Sequence, residues 1–142
     1  PPEPHLRPPQ LPLVPGHQIV GAVETGGADA NRFAIGTRVG VPWLNWIDAK
    51  CRWFNTDREN LCENIRFTGL DTNGGYAEYI TIDENFAYAL PENVSDVHVA
   101  PLLCAGVIGY RALRLSEIER GETIGLFGFG ASAHIVLQIA HH

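Results

Sequence analysis

The chain has 142 residues, 45% of them hydrophobic and 18% charged, with a formal net charge of −6 at pH 7. That is enough for one domain with a substantial core and little more, and it fits a soluble globular protein. No cluster of Lys or Arg offers a nucleic-acid surface. The longest apolar stretch, Val99 to Tyr110, is interrupted by Pro and Gly and is too short to cross a bilayer.

Residues 1–15 are rich in proline, which fixes φ and removes the N–H that a helix or central strand needs, so an extended arm is expected. His17 to Glu24 is a short apolar strand ended by Gly26 and Gly27. A turn at Gly36 leads to a second strand from Thr37 to Val41. Residues 45–73 are polar, rich in turn formers and without a sustained period, as in an excursion from the domain. Gly75 to Ile82 alternates as a half-buried strand does. At Ser95 or Asp96 a helix cap opens some twenty residues of apolar helical spacing, with breaks at Pro101 and Gly106. Thr123 to Phe127 is a short buried strand, and Ala131 to the end is a helix with Ile135, Val136, Leu137 and Ile139 available for packing. The fold class is therefore mixed α and β, a β-rich part of about 90 residues followed by a strand–glycine loop–helix unit.

No charged-then-apolar leader opens the chain, and its three cysteines are an odd and sparse set for a secreted disulfide framework. A reducing, cytoplasmic setting is expected. The first residue is Pro and there is no Met, so the expected reading is an internal piece of a longer protein.

Three places can carry chemistry. His17 follows the turn Val14-Pro-Gly and enters a strand, and Cys104 opens an apolar helix. Taken singly, such a His is commonly a turn or core residue, and such a Cys a small hydrophobe. The third place is Gly128-Phe129-Gly130-Ala131-Ser132-Ala133, which fits G-x-G-x-x-G/A between an expected strand and an expected helix. There Gly128 permits a tight turn, Gly130 a close backbone approach to a pyrophosphate, and Ala133 close helix–strand packing, with the helix N-terminus turned to phosphate.

In order and separation, Val14-Pro-Gly-His-Gln-Ile-Val-Gly-Ala-Val, Ile35-Gly-Thr-Arg-Val-Gly-Val, Arg58-Glu-Asn-Leu-Cys, Asp71-Thr-Asn-Gly-Gly-Tyr-Ala-Glu-Tyr, Ala100-Pro-Leu-Leu-Cys-Ala-Gly and the glycine loop resemble the zinc-dependent alcohol dehydrogenases of the medium-chain dehydrogenase/reductase superfamily. The resemblance runs from Leu13 to His142. It implies a GroES-like catalytic domain, with its N-terminal portion missing, over residues 1–95. Connecting helices and the first strand and helix of a Rossmann domain then fill 96–142. It implies reversible oxidation of a small alcohol to an aldehyde or ketone with NAD or NADP, in a full-length parent that forms dimers or tetramers, with neither nucleic acid nor membrane as partner. His17 and Cys104 are then two ligands of a catalytic zinc, which takes two Cys and one His and keeps a fourth position open. The third ligand, a Cys, is expected upstream of Pro1, so the 142 residues alone are expected to be inactive. With one sheet edge and one helix face uncovered, they are also expected to associate or dissolve poorly.

The resemblance also marks departures. Gln18 stands where the family usually has Glu beside the ligand His, leaving the site one negative charge poorer. Many members hold a second, structural zinc on four cysteines, and the matching positions here are Asp48, Cys51, Phe54 and Cys62. Phe54 cannot ligate, so that site is expected to be lost and its lobe more mobile, with Cys51 and Cys62 free, metal-bound or disulfide-linked, and Trp53 and Phe54 available to hold the lobe by packing. Trp43 and Leu44 fall at positions lining the substrate pocket. Two rival readings are a zinc-free quinone or enone reductase of the same superfamily and a non-catalytic GroES-like binding module. The residue that distinguishes NAD from NADP lies some 20 positions past the glycine loop and beyond His142. The terminal His141 and His142 are given no ligand role.

Overall fold

The computed structural model describes residues 11–142, so most of the expected proline-rich arm lies outside the described residues. Among the described residues five strands and three α-helices follow in chain order: β1 (Ile19–Ala22), β2 (Arg38–Val41), β3 (Leu44–Ile47), β4 (Ile65–Phe67), β5 (Tyr88–Ala89), α1 (Asp96–Val99), α2 (Ala105–Leu115) and α3 (Ala131–His141). The sheets are an antiparallel β1–β2–β5 and an antiparallel β3–β4.

β2 is the centre of the first sheet, with Ile19 opposite Val41 and Ala22 opposite Arg38 on one side, and Val39 opposite Ala89 on the other. Val39, Gly40 and Val41 are all buried, because the strand is covered on both faces. Behind it packs a 3₁₀ turn, Ala100–Leu103, so close to Gly40 that a Cβ there would sit 2.7 Å from a Leu103 methyl. Gly40→Ala should therefore cost about 1–3 kcal/mol of stability, the usual range for overpacking against a side chain that can partly yield. Gly21, in β1, has nothing within 4 Å of a built Cβ, so Gly21→Ala should be neutral or slightly stabilising when both variants are unfolded in urea. Equal costs at both positions would show that the β2–turn contact is loose.

Arg38, at the start of β2, ties the sheet to the helical part. Its guanidinium donates to the carbonyls of Pro91 and Val94 and to the Asp96 carboxylate. Asp96 is 71% exposed, so the ion pair itself contributes little, and the carbonyl contacts do the anchoring. α1 starts where expected, with Ser95 as N-cap, although the Ser95 hydroxyl pairs with His98 Nδ1 at 2.8 Å rather than with a backbone N–H. Pro101 breaks the helix into the 3₁₀ turn, whereas Gly106 lies buried inside α2 and does not. α3 crosses α2 at Gly109, where an added Cβ would be 2.8 Å from Val136.

Three expectations need correction. Residues 45–73 are not wholly irregular, since they include most of the β3–β4 pair, whose register shifts between Leu44 and Trp46 and so blurs the period of two. Gly75–Ile82 is not a strand. The N–H groups of Gly74, Gly75 and Tyr76 go to the carbonyls of Val14, Gly16 and Pro15, and Tyr76 and Tyr79 are 81% and 73% exposed, so alternation there does not mark a half-buried face. Thr123–Phe127 is not a strand either: Ile124 and Leu126 are half-buried and their neighbours exposed, but among the described residues no strand pairs with them. α2 and α3 leave Val107, Ile108, Tyr110, Leu115 and Leu137 substantially exposed. Among the described residues no helix is long and apolar enough to cross a membrane.

Candidate active site

His17 is placed by a backbone cradle. Gly16 takes φ +100°, a conformation that favours glycine, and turns the chain into β1. The segment Asn73–Tyr76 lies against Val14–Gly16. Asn73 Oδ1 accepts the Val14 N–H at 3.0 Å, and the Gly75 and Tyr76 N–H groups donate at 3.0 Å to Gly16 and Pro15. Gly74 is required for the approach, since a Cβ there would press on the Gly16 carbonyl and lie 2.8 Å from the Pro15 carbonyl carbon. Cys104 is placed from the other side. It joins the 3₁₀ turn to α2, and its carbonyl accepts the Ile108 N–H at 3.0 Å as the helix starts.

The two side chains, 87 positions apart in sequence, meet with His17 Nε2 3.1 Å from Cys104 Sγ. Tetrahedral zinc bonds of about 2.3 Å to sulfur and 2.0–2.1 Å to nitrogen put such donors about 3.5 Å apart. The pair would open by less than half an ångström to hold the metal, so the donor set fits zinc. Among the described residues there is no cluster of three or more His, Cys, Asp or Glu that could hold a metal by itself.

An aromatic wall stands behind His17. The Trp43 ring meets the imidazole edge-on with centroids 4.6 Å apart, and stacks on Phe67 at 4.8 Å and 21°. Thr68, fully buried, holds this wall by donating its N–H to the Trp43 carbonyl at 2.8 Å. Of the two expected pocket residues, Trp43 thus touches His17, while half-buried Leu44 pairs with Phe67 across β3–β4. A cleft of about 460 Å³ opens beside His17, lined also by exposed Gln18, Ile19, Gly75 and Tyr76. Phe67, Asn73 and Tyr76 had no assigned role in the sequence. The Asn73-Gly-Gly turn signal was the available hint, and Phe67 had none.

The glycine loop sits apart from that cleft. Gly128 takes φ +86°, Gly130 caps α3, and its carbonyl accepts the His134 N–H at 3.0 Å. The Phe129 ring packs edge-on to His134 at 5.7 Å and is 63% exposed. The loop is tied to the His17–Cys104 pair through α3 on α2, whose N-terminus is Cys104.

The half-buried His17–Cys104 pair thus lies beside an antiparallel sheet, with a glycine turn opening the helix that packs on α2. The chain belongs to the alcohol dehydrogenase GroES-like domain family, which matches residues 3–92. It is 46% identical over 133 residues to a Mycobacterium tuberculosis protein named "Probable alcohol dehydrogenase AdhA", covering 90% of this chain and 38% of that one. It is 40% identical over 132 residues to an alcohol dehydrogenase of Geobacillus stearothermophilus, covering 93% and 39%. Among solved structures, CAD from Helicobacter pylori complexed with NADP(H) superposes with a TM-score of 0.85 at 31% identity, over 92% of this chain and 40% of that one. The chain thus spans about two-fifths of the length of these relatives.

Proposed function

We propose that this chain is part of a zinc- and nicotinamide-dependent alcohol dehydrogenase that interconverts a small alcohol and its aldehyde or ketone. The observation that carries the reading is the 3.1 Å meeting of His17 Nε2 and Cys104 Sγ, beside a cleft that His17 lines. His17 and Cys104 would hold the metal, with a Cys from a preceding segment as third ligand. The zinc would supply Lewis acidity to the substrate oxygen.

The chain's own residues do the rest. The Asn73–Tyr76 cradle fixes the strand entry on which His17 sits, and the Trp43 edge limits how its ring can turn. Tyr76 gives the cleft a flat wall suited to a small or planar carbon skeleton, and Trp43 backs the His17 ring. Gln18 offers hydrogen bonds there without adding negative charge. The backbone N–H groups at Gly130–Ala133 point along the start of α3 and suit a dinucleotide pyrophosphate, either NAD or NADP. In this reading residues 1–95 belong to the catalytic domain and 96–142 begin the nucleotide-binding domain, whose further elements would cover the apolar faces of α2 and α3.

The test is zinc content and alcohol-dependent NAD(P) reduction in the protein with both flanking segments restored. One zinc per chain and turnover with a primary or secondary alcohol are expected. Reduction of quinones or enones by a zinc-free protein would replace this reading with the reductase one. Neither metal nor cofactor binding would leave a binding module.

A further inference from the structure

Outside that site, the connection between β3 and β4 gathers a second set of reactive side chains. The Asp48 N–H donates to the Asn64 carbonyl at 3.1 Å and closes the base of the hairpin. The chain then folds back at both ends of the connection. The Cys51 N–H donates to the Asp48 carbonyl at 2.9 Å, and the Cys62 N–H to the Glu59 carbonyl at 3.1 Å. Cys51 and Cys62 consequently line one open cleft of about 270 Å³, together with Asp48, Lys50, Arg52 and Glu63. Both thiols are free.

The expected replacement of a metal by packing is only half met here. Trp53 is half-buried beneath the Arg52 guanidinium at 4.7 Å, but Phe54 is 41% exposed. Asn55 and Asp57 take positive φ, the left-handed turn conformation that Asn and Asp adopt more readily than other side chains. Nothing in this region forms a group of three or more metal-capable side chains. What remains at the base of the lobe is a dithiol.

We propose that Cys51 and Cys62 are a reversible dithiol–disulfide couple, oxidised by small external disulfides, that cross-links the base of this lobe. Cys51 is the attacking thiol because it is half-buried, whereas Cys62 is only 6% exposed. Burial pushes the Cys51 thiol up, but hydrogen bonds from the Cys62 thiol and the N–H groups of Trp53 and Glu63 outweigh it, so it lies below the ordinary thiol value. Burial and the bond to Cys51 push Cys62 up, which suits a resolving thiol that ionises second.

The exchange balances in two steps. Cys51 thiolate attacks an external disulfide RSSR, a mixed disulfide forms on Cys51, and RS⁻ leaves. Cys62 gives up its proton and attacks Cys51 Sγ, the protein disulfide forms, and a second RS⁻ leaves. Two protein thiols are oxidised and RSSR is reduced to two RSH. Lys50 and Arg52 are balanced by Asp48 and Glu63 in the same cleft, so charge does not select among small disulfides and oxidised glutathione serves as the probe.

The 142-residue chain should be equilibrated with oxidised glutathione and mapped by mass spectrometry after alkylation. The expected product has lost two hydrogens, links the Cys51 and Cys62 peptides, and keeps Cys104 alkylatable. Three free thiols at equilibrium, a bond to Cys104 or a bond between chains would overturn the proposal, and this mapping needs no variant to fold. Cys62→Ser should accumulate a glutathione adduct on Cys51, and Cys51→Ser should leave Cys62 unmodified. An adduct on Cys62 in Cys51→Ser would refute the order of attack. Trypsin cleavage after Lys50, Arg52 and Arg58 should slow by roughly tenfold or more on oxidation. An unchanged rate would show that the bond does not restrain the lobe. No outcome here depends on the dehydrogenase reading.

Discussion

His17→Ala and Cys104→Ala, made in the protein with its flanking segments, should each release the zinc and lower alcohol-dependent NAD(P) reduction by well over a hundredfold. Groups that merely orient a metal ligand change affinity or activity by about 10–100-fold, and losing a direct ligand has to exceed that. His17 also packs on Trp43 with centroids 4.6 Å apart, so His17→Ala removes aromatic contact together with the nitrogen. His17→Phe separates the two effects, because it keeps a ring against Trp43 and presents no donor. If His17→Phe melts near the wild-type temperature and has lost its metal, the nitrogen is what matters. Retention of one zinc per chain by His17→Phe would sink the proposed site outright.

How far this site is legible in the sequence depends on the kind of signal each part leaves. His17, Cys104 and the glycine loop stand in local motifs, and Ser95, Pro101 and Ala131 punctuate the helices through capping and ring geometry, which are properties of single residues. What the chain does between residues 43 and 82 left no such trace. β3 is hidden by a register shift, and one of its two buried residues is the polar Asn45, which donates to the buried Thr68 at 3.4 Å and so can sit inside. Phe67 reaches His17 only through Trp43, a relation made by strand pairing and invisible to spacing. The apparent strand at Gly75–Ile82 misled because alternation reports a half-buried face only when the backbone has a partner strand. Here the N–H groups that matter turn back to Val14–Gly16. The expected strand at Thr123–Phe127 shows the same rule from the other side, with Ile124 and Leu126 alternating correctly but no neighbour to take up the ladder bonds.

The same cradle leads to the largest expected stability effect. Gly74→Ala should destabilise the chain by about 3 kcal/mol or more, at or beyond the upper end of ordinary overpacking. The reason is what the new methyl would meet. It would press on the Gly16 carbonyl oxygen and stand 2.8 Å from both the Gly69 Cα and the Pro15 carbonyl carbon, all of them backbone. No rotamer change can relieve such a contact. The strands of chain would have to separate, breaking the bonds from the Gly75 and Tyr76 N–H groups at 3.0 Å. Gly75→Ala is the informative comparison, since its methyl would meet the Ile19 side chain, which can move. The ordering Gly74→Ala worse than Gly75→Ala, measured by urea denaturation, is expected from that difference alone. Because Gly16 precedes His17, Gly74→Ala should also weaken zinc binding in the restored protein under conditions where it is still folded. A Gly74→Ala protein with unchanged stability would mean that the 73–76 segment does not lie against residues 14–16. The positioning of His17 argued here would then have no physical basis.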